Sequence, residues 1–430
     1  MDVLIIGAGA AGLAALRELD RAGLSVRCIE AQERIGGRIL TVHDALSPAP
    51  IELGAEFVHG RPREIWDIAR RAGLQVVERG WSAIQMNAGE LVQDEQMGDA
   101  IGKAMSAVEE AAGQGPDESF ASFMGRSEFS PSVKRRATRY VEGFNAADAA
   151  TVGIASLAAD AQAADQIDGD RSFFILNGYD SVPLALLDGI EALDDKLQLN
   201  SVVERIEWKP GEAAVHLRSA LDGRRDVLRA RRVVVTIPLG VLQAEADERG
   251  AIRFDPEPAE ILGAARSLAF GQVFRVTLRL HSSFWESRPE LSRAGFIFSE
   301  QPVFPTWWRP YPVHTPLITG WCAGPATGPL LGQPRTVVAG RAIESFERIS
   351  GIAPLPVLAA YFHDWQADAF VRGAYSHVPA GKLAARKVLS EPVANTLYFA
   401  GEATDTGGHS ATVHGAIASG VRAARQVIDL

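Results

Sequence analysis

The chain has 430 residues, 47% of them hydrophobic, and a formal charge of -10 from 43 basic and 53 acidic residues. That length and apolar share allow a sizeable core spread over two or three domains. Basic residues scattered along an acidic chain argue against a nucleic-acid partner, because phosphate binding needs a local concentration of Lys and Arg. The two cysteines, Cys28 and Cys322, are too few for a disulfide framework and too isolated for a thiolate metal site, and both read as buried or inert. No run of about 18 apolar residues is present, and Met1 leads straight into "DVLIIG" rather than a basic and then apolar leader. The expectation is a soluble, cytoplasmic protein without membrane contact.

In chain order, "DVLIIGAGAAGLAALRELDRAGLSVRCIEA" predicts a buried strand, a glycine turn, an amphipathic helix ending near Gly23 and a second strand ending at Glu30. From Gly98 to about Asp170 the Ala, Glu and Asp content and helical spacing predict a helical insertion, broken at "GQGPDES" and "EFSPS". Strands resume at "LQLNSVVERIEW", "AAVHLRS" and "RRVVVTIPL", and the second is predicted to pair with "DVLRARRVVV" across the turn-rich "ALDGRR". Alternating strands follow over 270–322, then a helix around 335–350, the strand-like "TLYFAGEAT" and a glycine-interrupted helix, "GAIASGVRAARQVI". Strand-rich pieces at both termini suggest one domain assembled from separated parts of the chain, with another inserted between them.

Gly7, Gly9 and Gly12 form G-x-G-x-x-G between a strand and a helix. The first two allow a tight turn and close approach to a pyrophosphate, the third allows close helix packing, and the helix start, with Ala10 and Ala11, offers aligned N–H groups. Glu30 ends the second strand, where a carboxylate can take the ribose hydroxyls of an adenosine, which points to FAD or NAD rather than a 2′-phosphorylated nucleotide. In "ERIGGRI", Gly36 and Gly37 let the chain pass near such a cofactor and Arg38 can reach a phosphate; Arg34 reads more simply as a surface charge.

E-A-x-x-R-x-G-G-R after G-x-G-x-x-G resembles the flavin-containing amine oxidases, a family that includes monoamine oxidases, polyamine oxidases and flavin-dependent histone demethylases. "IELGAEFVHG", "NGYDSVPLALLDGI", "LQLNSVV", "VVVTIPLGVL", "ITGWCAG", "WQADAFVRGAYSHVPAG" and "LYFAGEATDTGGHSATVHGAIASG" follow in that family's order over the whole chain. The resemblance implies an α/β protein: a discontinuous Rossmann-like FAD-binding domain (1–75, 176–258 and 386–430) with an inserted α+β substrate-binding domain (76–175 and 259–385, of which 98–170 is helical). It implies FAD held by Gly7, Gly9, Ala10, Ala11, Gly12, Glu30, Ala31, Gly37, Arg38, Gly54, Ala55, Glu56, Val203, Gly401, Glu402, Thr412 and Val413. Glu56 can also be read as merely bracing its loop. Ala374 stands where monoamine oxidases carry the cysteine that bonds to the flavin, so the cofactor is expected to be non-covalent.

The implied reaction is hydride transfer from the carbon bearing an amine nitrogen to the flavin, giving an imine and then an aldehyde or ketone, with oxygen reduced to hydrogen peroxide. An alkylamine of pKa about 10.4 costs roughly 4 to 5 kcal/mol to deprotonate at pH 7, so apolar walls matter more than a strong base. Tyr375 matches the family aromatic facing the flavin, with a core tyrosine as the plain alternative. Thr412, beside Ala411, occupies the position of the second aromatic of monoamine oxidases, which predicts a wider pocket. His59 matches a histidine near substrate in animal polyamine oxidases or is a neutral loop histidine; Trp365 packs near the flavin or is a core residue. His409 and His414 flank the last motif. In "FRVTLRL", alternation puts Arg275 on a polar face with Arg279, and that face can look into a cleft or into bulk water. By resemblance Arg275 replaces a lysine that holds a water at the flavin; an arginine can hold a water or a carboxylate but cannot act as a base.

No spacing suggests a metal site or a serine nucleophile. The expected partners are a small-molecule amine and oxygen, in a monomer or homodimer. The alternatives are an L-amino-acid oxidase, in which Phe57 stands where an arginine would hold the carboxylate, another oxidase or desaturase of this fold, and a partner-binding, demethylase-like protein.

Overall fold

The computed structural model describes residues 1–80, 82–92 and 97–430. The strands Val3–Ile6, Val26–Ile29, Arg232–Val235 and Leu397–Phe399, with the short Leu197–Gln198, form one parallel five-stranded sheet. Its strands come from the start, the middle and the end of the chain. Val3 lies in register with Val26 on one side and Arg232 on the other, and Val233 pairs with Leu397. A parallel sheet is covered on both faces, and the near-continuous apolar strands "VLII", "VVV" and "LYF" satisfy that demand.

Side-chain alternation divides the two faces. Val3, Ile5, Val234 and Tyr398 turn toward the helices Ala10–Arg21 and Val413–Ile428. Leu4, Ile6, Val233, Val235 and Phe399 turn toward a four-stranded sheet and the helices Ala259–Ser267 and Ala384–Ser390. The first pair of helices approach closely because Gly420 faces Ala11: a Cβ at 420 would lie 2.1 Å from the Ala11 carbonyl oxygen.

One sequence expectation needs correction. "DVLRARRVVV" is not one strand. Arg225–Ala230 pairs with Glu212–Ser219 as expected, but Arg232–Val235 leaves that hairpin and enters the parallel sheet between Val3–Ile6 and Leu397–Phe399. The uninterrupted apolar "VVV", suited to burial on both faces, is the physical reason for the change of sheet.

A second, seven-stranded sheet contains Val273–Leu280 beside Leu317–Ala323, continuing through Thr306–Trp308 and Phe296–Phe298 to Ala83–Asn87. Phe274, Val276, Leu278 and Leu280 pack with Val338, Ala342 and Phe346 of the helix Arg335–Ser350, which leaves Arg275, Thr277 and Arg279 on the opposite face. The helices Met97–Ala111, Phe120–Arg126, Pro131–Phe144 and Ile154–Asp165 gather around their own apolar cluster. Ser119 and Ser130 cap two of them through side-chain oxygens, and Pro131 occupies a first turn where no N–H is needed. No helix of the described residues is long and apolar enough to cross a membrane.

Two glycine replacements separate close packing from helix propensity. Gly420→Ala is expected to lower unfolding stability by about 1 to 3 kcal/mol, since Ala11 is backbone and cannot yield cheaply. Gly263→Ala, where an added Cβ meets nothing within 4 Å on an exposed helix position, should raise it by about 0.5 to 1 kcal/mol. Urea unfolding of the two variants checks both signs.

Candidate active site

The carboxyl ends of the parallel strands, the Arg275 face of the second sheet and the helical group enclose a cavity of about 1170 Å³. Every residue singled out for cofactor or substrate from sequence lines it except Gly12. Gly12 lies beneath the turn, where a Cβ would sit 1.9 Å from the Gly7 carbonyl oxygen. Its role is the close helix packing that the motif requires.

One end of the cavity suits a dinucleotide. The helix Ala10–Arg21 starts at Gly9 with no side-chain cap and no acidic residue in its first turn, so its leading N–H groups and dipole face the cavity uncompensated. A Cβ on Gly9 would meet no protein atom within 4 Å, and one on Gly401 would meet only the Ile237 carbonyl oxygen at 3.9 Å. Both glycines therefore border open space. The Glu30 carboxylate accepts from the Ala8 N–H at 2.7 Å and the Gln32 N–H at 2.9 Å, which fixes it at the strand end. Burial raises its carboxyl pKa and those backbone donors oppose the shift. These residues fit a flavin dinucleotide: an anion-ready helix start, glycines without side chains at the wall and a ribose-height carboxylate.

Arg38 ties this end together. Its Nη1 donates to the Ala374 carbonyl at 2.7 Å and to Glu402 Oε1 at 2.8 Å, leaving its other donors unengaged by these partners on a quarter-exposed side chain. Glu402 is 3% exposed, and Oε2 accepts from Ser376 Oγ at 2.6 Å and from the Ala411 N–H at 3.0 Å. Burial works against its charge, but Arg38 and these hydrogen bonds hold its pKa below the ordinary carboxylate value. The carboxylate is filled by protein donors and braces Arg38 and the 411 turn.

Glu56 behaves likewise. Its Oε2 accepts from Arg275 Nη2 and from Trp308 Nε1, both at 2.8 Å. Arg275 is 5% exposed; it also donates through Nη1 to the Gly54 carbonyl at 2.9 Å and lies 5.5 Å from the Trp308 ring centroid. The polar face of "FRVTLRL" thus looks into the cavity at this residue and not into bulk water. Trp365, 5% exposed, donates from Nε1 to the Leu53 carbonyl at 2.8 Å, and a Cβ on Gly54 would meet its ring at 3.1 Å. Arg34 is half-buried rather than a free surface charge and donates to the Ile35 and Ile39 carbonyls.

Tyr375 lines the cavity with its hydroxyl donating to the Phe144 carbonyl at 2.8 Å, and burial raises its phenol pKa. The Thr412 hydroxyl caps the last helix, accepting from the Gly415 N–H at 2.9 Å and donating to the His409 carbonyl at 2.6 Å. That hydroxyl is structural and has no donor left for chemistry. His59 sits between Phe57 and Phe144 rings; burial, then the charge of Arg79, pushes its pKa down to about 4. His414 is buried with its ring 5.0 Å from that of His409, and burial lowers its pKa to about 3.

Sequence reasoning missed most of the outer arm. Phe296, Phe298, Trp308 and Trp321, with Tyr140 and Phe144 stacked at 5.5 Å, line the cavity beyond Tyr375. They come from separate strands and a helix and carry no local motif; the period-two spacing of Phe296 and Phe298 and the i, i+4 spacing of Tyr140 and Phe144 are the signals they leave. Both cysteines are free and buried, and neither lines the cavity. Among the described residues, no three His, Cys, Asp or Glu side chains gather closely enough to hold a metal.

A pH prediction follows from His59. The unfolded chain takes up this proton near pH 6.5 and the folded chain only near 4, so His59 weakens the fold progressively as pH falls through that interval. Nitrogen-resolved NMR of the imidazole should show a neutral ring from pH 8 down to about 5; a titration midpoint near 6.5 would contradict the dry environment described.

Residues 10–428 match the sequence profile of the family described as flavin containing amine oxidoreductase. Among curated proteins, the chain is 28% identical over 99% of its length to lysine-specific histone demethylase 1 homolog 2 of Oryza sativa subsp. japonica, covering 57% of that protein. It is 26% identical over 99% of its length to human lysine-specific histone demethylase 2, covering 53% of it. The chain spans 30% to 58% of the first three curated relatives it matches. Among solved structures, cyclohexylamine oxidase from Brevibacterium oxydans superposes with a TM-score of 0.82 at 22% identity, over 100% of this chain and 98% of that one. Putrescine oxidase bound to putrescine gives 0.80 at 22% identity, over 100% and 99%. With its α/β architecture, its dinucleotide-ready cavity end and a match over nearly its whole length, the chain belongs to the flavin-containing amine oxidoreductase family.

Proposed function

We propose that this protein holds FAD non-covalently and oxidises a small amine to an imine, which hydrolyses to an aldehyde or ketone, with oxygen reduced to hydrogen peroxide. The observation that carries the reading is the continuity of one cavity from the glycine-lined, anion-ready end at Gly9 and Gly401 to the aromatic arm beyond Tyr375. Bound there, FAD supplies the hydride acceptor and the reaction with oxygen.

The chain's own residues bind, orient and dry the reactants. Gly7, Gly9 and the helix start take the pyrophosphate, Glu30 the ribose, and Arg38, fixed by Glu402 and Ala374, a phosphate or the ribityl chain. Residues 1–75, 176–258 and 386–430 supply this half, and 76–175 with 259–385 supply the substrate half. Tyr375 presents its ring to the substrate while Phe144 immobilises its hydroxyl. His59, neutral at pH 7, adds no positive charge beside an amine that must lose its own proton. Arg275 offers only hydrogen-bond donors and is pinned by Glu56 and Gly54, so it orients and does not abstract. Amino-acid oxidation is the second reading. It is disfavoured by Phe57, whose ring stands where a carboxylate-binding arginine would be needed, and by the pairing of Arg275 with Glu56.

Purified protein should carry a flavin that acid denaturation releases into the supernatant, and anaerobic mixing with an amine should bleach it. A flavin left oxidised by primary amines, diamines and amino acids alike would defeat the proposal. Tyr375→Ala is expected to slow flavin reduction about ten-fold or more, some 1.4 kcal/mol in the barrier, without loss of flavin, as read by stopped-flow absorbance. Arg275→Lys should keep flavin bound and change the rate of reoxidation by oxygen; wild-type behaviour would remove Arg275 from the site.

A further inference from the structure

The outer arm has a charged residue hidden behind its wall. Arg79 ends the strand Val76–Arg79, is 2% exposed and does not itself line the cavity. Its guanidinium carbon lies 3.5 Å from the centroid of Phe296, 5.1 Å from Phe57 and 5.5 Å from Phe174. Phe57 and Phe296 are cavity wall, so the positive charge sits one ring behind the surface that a substrate would touch. Nη2 donates to the Gly295 carbonyl, while Nε and Nη1 are buried without a hydrogen-bond partner. The charged groups facing it are Glu56, which attracts it, and Arg309, which repels it; His59 is neutral.

A phenyl ring attracts a cation through its negative face. With Arg79 against one face of Phe296, a second cation on the cavity side meets the field of the first through a dry, weakly screening wall. Two of the arm's carboxylates are already engaged: Glu56 is bound to Arg275 and Trp308, and Glu300 is paired with Arg139 at 2.6 Å, which leaves Glu142 as the carboxylate on this wall that the test must address.

We propose that Arg79 is a specificity-determining residue: its charge behind Phe57 and Phe296 makes the arm reject a second positive charge, so the substrate is an amine with an uncharged, apolar tail. This rests on the amine-oxidation reading and narrows its substrate class to monoamines carrying an alkyl, cycloalkyl or aryl group, against diamines and polyamines.

The test compares hexylamine, 6-amino-1-hexanol and 1,6-diaminohexane, which share a chain length and separate polarity from charge. Binding is read from quenching of Trp308 and Trp321 fluorescence in holoenzyme kept reduced and anaerobic, where no turnover occurs. The amino alcohol should bind at least ten-fold tighter than the diamine, and Arg79→Met or Arg79→Gln should shrink that ratio to three-fold or less while Arg79→Lys preserves it. A diamine that binds as tightly as the amino alcohol in the wild type, as it would if Glu142 received its second ammonium, overturns the proposal even if the neutral variants fail to fold. So does a ratio unchanged in a folded neutral variant. Because oxidation is followed separately by flavin bleaching, a diamine that bleaches the flavin as fast as the amino alcohol at equal, sub-saturating concentration would sink the charge selection alone, whereas a flavin left oxidised by all three and by amino acids alike would sink the amine-oxidase reading with it.

Discussion

The Arg38–Glu402 pair is the joint on which the cofactor half of the cavity depends. Arg38 follows the first βαβ unit, Glu402 follows the last strand of the parallel sheet, and the Ala374 carbonyl that completes the joint belongs to the segment carrying Tyr375. Three remote stretches of chain are thereby held to one another by a buried, multiply hydrogen-bonded carboxylate. A buried pair of this kind is weak evidence for net stability, because desolvation offsets its attraction. Its value lies in geometry: removing either partner would leave the other charged and misdirected at the glycine-lined end of the cavity.

The substrate half follows a different logic. Its walls are largely aromatic, and three ionisable groups at or behind them are pinned, kept neutral or screened by rings. Arg275 is fixed by Glu56, His59 is kept uncharged by burial, and Arg79 is hidden behind phenylalanines. On the amine-oxidation reading proposed above, low local polarity lets the amine react as the free base, since each unit of lowered pKa removes about 1.4 kcal/mol from the cost of deprotonation.

Much of the glycine-lined half of the cavity was legible in sequence because its determinants are local. G-x-G-x-x-G, Glu30 and the Gly36–Gly37–Arg38 run each act within a few residues of one another, and backbone geometry fixes what they can reach. Glu56 and Glu402 were found as positions but not by partner, because Arg275, Trp308 and Ser376 lie far away in the chain. Thr412 shows the opposite difficulty: its place in the site was legible, but its hydroxyl is engaged in capping the last helix. The strand Arg232–Val235 was assigned to a hairpin because adjacency in sequence suggested it, whereas burial on both faces placed it in the parallel sheet. Arg79 gave no signal at all, since a lone arginine at the end of an amphipathic strand ordinarily faces water.

The order of strands in the parallel sheet also bears on how the protein comes into being. Val3–Ile6 is flanked by a strand close behind it and by one from the middle of the chain, and the sheet is closed by Leu397–Phe399. The helix that covers it, Val413–Ile428, is remote in sequence from the helix Ala10–Arg21 against which it packs. Contacts between such distant parts are slow to form, and synthesis runs from the amino terminus. During translation the first βαβ unit, with its apolar strands, therefore waits beside an open sheet edge until Leu397–Phe399 and Val413–Ile428 emerge. A group cradled between Gly9 and Gly401 would be held from both sides only afterwards, so its uptake would report that these remote stretches have met.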